Sequence, residues 1–96
     1  MTDGQVSDDR AACRFELRAG GHVAGLQYRE SRGRLILIHT EVPPELGGRG
    51  IGGTLVTAAA ARAAQEGMTV VPLCPFARGW LQRHPEVAGR AAIDWG

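Results

Sequence analysis

A chain of 96 residues has the length of one domain, and only a modest share of its unfolded surface can be buried in the core. Its 44% hydrophobic and 22% charged residues, with a formal net charge of +1, describe an ordinary globular domain and point to neither a nucleic-acid nor a membrane partner. All 11 basic residues are Arg, so no Lys amine exists for Walker-type phosphate binding or Schiff-base chemistry. Met1–Arg10 is polar and acidic, without the basic-then-apolar order of a secretory signal, so a cytoplasmic location is expected by default. Cys13 and Cys74 make no disulfide framework and have no zinc spacing, so no metal site is expected.

Residues 1–11 read as a flexible arm and residues 12–96 as a single domain. Cys13, Phe15 and Leu17 alternate with Arg14, Glu16 and Arg18, the period of a half-buried strand. Gly20-Gly21 marks a tight turn, and His22–Arg29 a second strand with Ala24, Leu26 and Tyr28 on one face. Glu30–Gly33 closes another hairpin. Arg34–Val42 has the strongest strand signal, and its leading apolar run predicts a central, doubly buried position. Pro43-Pro44 ends it, because neither proline can donate to a ladder.

A glycine-rich stretch follows, and then a helix over about Gly52–Glu66. Ile51, Leu55, Ala59 and Ala63 give this helix a buried, alanine-rich stripe. Gly67 is a helix stop, Met68–Leu73 a second buried strand, and Pro75 the first residue of a short helix ending near His84. The pattern of Glu86–Gly96 is ambiguous. The fold class is α+β, a mixed and mostly antiparallel sheet. Its strand–helix–strand unit should place Arg34–Val42 and Met68–Leu73 in parallel.

GRGIGG satisfies the dinucleotide fingerprint at Gly48, Gly50 and Gly53, but Pro-Pro-Glu-Leu separates it from its strand and no acidic residue closes the next one. The physical content survives the rejection. Glycines let backbone N–H groups converge, and the following helix adds its positive end, so a pyrophosphate fits there, with Arg49 adding charge. The alternative is a plain connection in which the glycines only permit a turn.

IHTEVPPELGGRGIGGTLV followed by VVPLCPFARGWLQRHPE resembles the minimal, YjdJ-like branch of the GNAT acetyltransferase superfamily, over roughly residues Ala12–Ala88. The resemblance implies an N-acetyltransferase using acetyl-CoA, with acyl-CoA held where two parallel strands splay. Pantetheine would pair near Thr40 to Val42, and pyrophosphate would sit on the loop Gly48, Arg49, Gly50, Ile51, Gly52 and Gly53. Gly47 stands where the superfamily usually has Gln or Arg. The helices that larger members place after their first strand, and that shape the acceptor site, are missing, so the amine acceptor, a small molecule or a protein, is not specified.

Acetyl transfer needs a base for the amine and a proton for the leaving thiolate. By strict alternation Leu35, Leu37, His39 and Glu41 share one face, which offers His39 or Glu41 as the base; a general base contributes ~100- to 10,000-fold. A buried His39 bonded to Glu41 for structure alone is the alternative. Cys74 precedes Pro75 at a helix start, where a thiol ionises more readily, and the resemblance places it near the CoA sulfur as nucleophile or proton donor. An inert buried thiol is its alternative. Cys13 reads as core and His84 as a packed helix end. Two competing functions remain: a non-catalytic acyl-CoA-binding module, and a cysteine hydrolase pairing Cys74 with His39 or His84.

Overall fold

The computed structural model describes residues 5–96. The first strand, β1, is Val6–Asp9, antiparallel to β2 (Arg14–Ala19). Most of the described arm expected to be flexible is therefore sheet, and residues 1–4 lie outside the described residues. Besides its backbone ladder and the Val6 side chain packed on the core, polar side chains hold β1. Asp8 accepts the Tyr28 hydroxyl at 2.5 Å and ion-pairs with Arg62 at 3.2 Å. Cys13 does not belong to β2: it turns the chain with φ 53°, half-buried.

Two further hairpins follow, β2 to β3 (His22–Ser31) and β3 to β4 (Arg34–Glu41). Gly20 and Gly21 both have positive φ, and so do Arg32 and Gly33. Two central residues of this kind make the turn whose twist matches paired strands. The second hairpin is consequently tighter than the four-residue closure expected from sequence, and β3 runs on to Ser31.

A 3₁₀ turn at Pro44–Leu46 follows β4, and helix α1 (Ile51–Glu66) crosses back to β5 (Thr69–Pro72). β5 pairs parallel to β4, as the strand–helix–strand pattern requires. The tail resolves into helix α2 (Pro75–Arg83), a single turn α3 (Pro85–Ala88) and a two-residue strand β6 (Ala92–Ile93) on the far side of β5. The result is a six-stranded sheet in sequence order, antiparallel from β1 to β4 and parallel from β4 to β6.

Only one sheet face carries the core. Phe15, Leu17, Ala24, Leu26, Tyr28, Leu35, Leu37 and Val70 meet Leu55, Val56, Ala59 and Ala63 of α1 and Ala77 and Leu81 of α2. The alanines let α1 lie close to the strands. The other face stays open, with Arg14 and Glu16 paired at 3.3 Å on it and Ile38 40% exposed.

Arg62 is the one buried charged residue among the described residues. It projects from α1 toward β1 and β3, pairing with Asp8 at 3.2 Å, Glu30 at 2.6 Å and Glu66 at 3.2 Å, with its guanidinium 5.3 Å from the Tyr28 ring centre. Burial, reinforced by the Asp8 bond, holds the Tyr28 hydroxyl well above the usual phenol range, so it stays a donor to Asp8. Glu66 is held below the usual carboxylate range, first by its hydrogen bond from Arg10 and then by Arg62.

Removing the hub of such a cluster strands its partners, so Arg62→Met is expected to cost about 3 kcal/mol. Thermal unfolding at neutral pH should show a Tm lower by more than about 10 °C for a domain of this size. Arg62→Lys should recover only part of it, because a compact ammonium lacks the planar fork whose three nitrogens reach three separate carboxylates. Glu66 adds a pH dependence. A lowered carboxylate stabilises fully above its unfolded value and loses that contribution as pH falls through its folded value. Parent Tm should therefore drop below about pH 4, and Arg62→Met should show a shallower drop.

Candidate functional site

The site begins where β5 stops. Arg34 to Leu37 pair with Thr69 to Pro72, and there the ladder ends. Pro72 has no N–H, and the next two N–H groups, of Leu73 and Cys74, both turn to the Leu37 carbonyl at 3.0 and 2.9 Å. The chain then leaves as α2, while β4 continues to Glu41 with β3 on its other side only. A strand so released offers peptide groups to a ligand, and the gap between the two strands opens toward the glycine loop.

Within the released stretch β4 carries a bulge. Gln27 pairs with His39 but Tyr28 with Leu37, leaving Ile38 as the extra residue. One inserted residue reverses the side-chain phase beyond it. This corrects the strict alternation expected for the strand. Leu35 and Leu37 face the helices, but so does Thr40, opposite the buried Leu26. His39 and Glu41 instead project from the open face, both exposed.

A pocket of about 470 Å³ lies on the helix side of the gap. Its walls are Thr40, Val42, Pro43 and Pro44 from the end of β4, Leu46 to Gly48 and Gly50 to Gly53 from the loop and helix start, and Phe76 and Trp80 from α2. Arg49 is exposed and stands outside these walls. Of the eleven sequence-derived candidates, Thr40, Val42, Gly48, Gly50, Ile51, Gly52 and Gly53 converge here. Cys74 is buried, at 3% exposure, behind Thr40, whose Oγ1 lies 3.3 Å from its Sγ.

The loop glycines divide by physical role. Gly48 and Gly50 have φ of 79° and 71°, and a Cβ at either would meet open space. Gly50 is the N-cap of α1, where no side chain caps the helix and no acidic residue occupies the first turn. The first-turn N–H groups, which lack intrahelical acceptors, are thus left for a ligand on the pocket side. Gly52 and Gly53 answer instead to α2. A Cβ on Gly52 would stand 2.6 Å from the Phe76 ring, and one on Gly53 would run into the Trp80 indole. These two glycines let the aromatic pair close on the helix start and wall the pocket.

Phe76 and Trp80 escaped the sequence reading as site residues. Their signal was present as an aromatic pair one helical turn apart in a chain with a Gly-Gly pair at the start of its other helix. His84 stacks on Trp80, centroids 3.8 Å apart, and its Nδ1 lies 2.8 Å from the Trp80 carbonyl oxygen. Among the described residues Thr40 is the side chain bonded to Cys74, and no His is. This geometry removes the basis for a Cys–His hydrolase.

Gly53→Ala should push Trp80 away and cost about 2–3 kcal/mol through overpacking. Gly50→Ala, with space around it, should cost only about 1 kcal/mol of left-handed strain. Comparing the two Tm values by calorimetry checks the division of roles; equal losses would contradict it.

The family model described as GCN5-related N-acetyl-transferase matches residues 14–89. A GCN5-like protein of Staphylococcus aureus, solved in solution by NMR, superposes with a TM-score of 0.72 at 21% identity, covering 99% of this chain and 95% of that one. At that identity the superposition establishes the mixed sheet with its helices, and no more. No curated protein matches the chain.

Proposed function

Because the chain belongs to the GCN5-related N-acetyltransferase family, we propose that it moves an acetyl group from acetyl-CoA to an amine, with the CoA lying in the gap between β4 and β5. The observation that carries this reading is the pairing of a released strand edge with an uncapped helix start across one pocket. The edge suits the amides of pantetheine. The Gly48–Gly53 loop suits a pyrophosphate, since its glycines allow close approach and the helix start favours negative charge. The apolar remainder, Val42, Pro43, Leu46 and Phe76, excludes water from the arm between them.

Bound acetyl-CoA supplies an activated thioester. The helices and loop close the pocket on one face of the sheet, so the amine reaches the carbonyl from the open face. His39 and Glu41 stand on that face at the same strand end. Either can accept the amine proton, although neither shares the face of Leu37. Cys74, at the N-terminus of α2, is the proton source for the leaving sulfur in a direct transfer. A thiolate left there faces the positive end of the helix.

The alternative of a binding module without turnover needs the pocket but none of these three side chains. Four measurements test the site and its chemistry, and turnover with an amine separates the two readings. CoA at a hundredfold excess over its Kd should stabilise the fold by about 2.7 kcal/mol, and no Tm shift at millimolar CoA would refute the site. Gly50→Asp should abolish that shift while the protein stays folded, because the space around Gly50 admits the side chain but its charge repels phosphate. With amine present, His39→Gln together with Glu41→Gln should lower kcat about 100-fold or more without altering CoA binding. Intact mass after mixing with acetyl-CoA alone should show no acetyl adduct that an amine later discharges at the turnover rate.

A further inference from the structure

We propose that the Thr40 hydroxyl is the proton relay between the Cys74 thiol and the pocket. The inference rests on the acetyl-transfer reading above and adds to it a residue whose side chain that reading does not use.

Four observations lead to it. Cys74 is 3% exposed and does not itself wall the pocket, whereas Thr40 does. Thr40 Oγ1 lies 3.3 Å from Cys74 Sγ, so the hydroxyl stands between the thiol and the cavity. The bulge at Ile38 is what puts it there: with unbroken alternation His39 would have occupied the inner face and Thr40 the outer. Leu73 and Cys74 both donate to the Leu37 carbonyl, which fixes the thiol against the strand three residues before Thr40. The half-buried Thr40 hydroxyl has the Cys74 thiol as its partner, whereas a simple apolar side chain would serve packing against Leu26 equally well. The hydroxyl can donate in one direction while accepting from the other.

The step balances without any further reactant. As the carbon–sulfur bond of the thioester adduct breaks, the Thr40 O–H proton passes to the departing CoA sulfur. The Cys74 S–H proton passes to Thr40 Oγ1 in the same shift, so no alkoxide forms. Cys74, the N-cap residue of α2, is left as a thiolate accepting the Thr40 hydrogen bond. The proton released by the amine nitrogen restores the thiol. Nothing is oxidised or reduced.

The test uses the full chain with Cys13→Ala, which leaves Cys74 as its single thiol. Iodoacetamide alkylation, followed by intact mass, is compared among Thr40, Thr40→Ser and Thr40→Val at one pH. A hydroxyl that donates to the thiolate raises the reactive fraction. Thr40→Val should therefore react about fivefold more slowly and Thr40→Ser within about twofold of the parent. Loosened packing would move the rate the other way, toward faster alkylation. In turnover, Thr40→Val should lower kcat about tenfold with KM for acetyl-CoA unchanged, and Thr40→Ser should restore most of it.

Equal alkylation rates for Val and Thr, or an unchanged kcat in Thr40→Val, would overturn the relay. Should Thr40→Val unfold, Thr40→Ser against Thr40→Ala repeats the comparison with smaller side chains. A parent that transfers no acetyl to any amine contradicts the function proposed above, and the alkylation ratio alone then decides whether the Thr40–Cys74 bond acts on the thiol.

Discussion

β4 outruns its parallel neighbour by four residues, from Ile38 to Glu41, and the site depends on that difference in length. Backbone N–H and C=O groups are rarely left without partners in a fold. A strand that loses its neighbour halfway must find others. β3 satisfies one edge of the released stretch. The other edge borders the pocket, where a ligand with amide groups of its own can complete the ladder. Proline chemistry makes the arrangement stable: Pro72 ends the donor series of β5, and Pro75 starts α2 where its missing N–H costs nothing.

The rest of the molecule keeps that gap in shape. α1 must bring its first turn to the mouth of the gap, and it is positioned from both ends. At its start Phe76 and Trp80 press on Gly52 and Gly53. Near its end Arg62 ties it to Asp8 of β1 and Glu30 of β3, while Glu66 reaches Arg10 at 2.5 Å. The apolar core supplies the driving force, and these polar links fix the register of helix on sheet. A short chain with one covered sheet face has little redundancy. The short acidic segment at its N-terminus therefore does structural service as an edge strand.

Most of the architecture was legible in the residues. The two glycine-marked hairpins, the apolar β4, the alanine stripe of α1 and the proline before α2 each announce their elements by local rules. β1 was not legible, because VSDD carries no apolar alternation, and its docking comes from ion pairs with residues distant in sequence. β6 was equally silent, being two residues long. The bulge at Ile38 was the costlier omission. The run Leu35-Ile36-Leu37-Ile38 is apolar at every position, so it gives no phase by which an inserted residue can be noticed. The error passed directly to His39 and Glu41, whose face was reversed, and put the Thr40 side chain on the wrong face as well. The glycine loop stood out in the sequence and walls the pocket in the fold, but local rules could not separate the glycines that free the backbone from those that make room for aromatic rings.

On the proposed reading, CoA lies between the released edge of β4 and the start of α1. Amide chemical-shift mapping on the nitrogen-15-labelled chain, titrated with CoA, tests it most directly. The largest changes should fall on two separate stretches, Thr40–Val42 and Gly48–Gly53, with smaller ones at Phe76 and Trp80. Changes confined to the open sheet face, or spread evenly over exposed arginines such as Arg49 and Arg90, would contradict it.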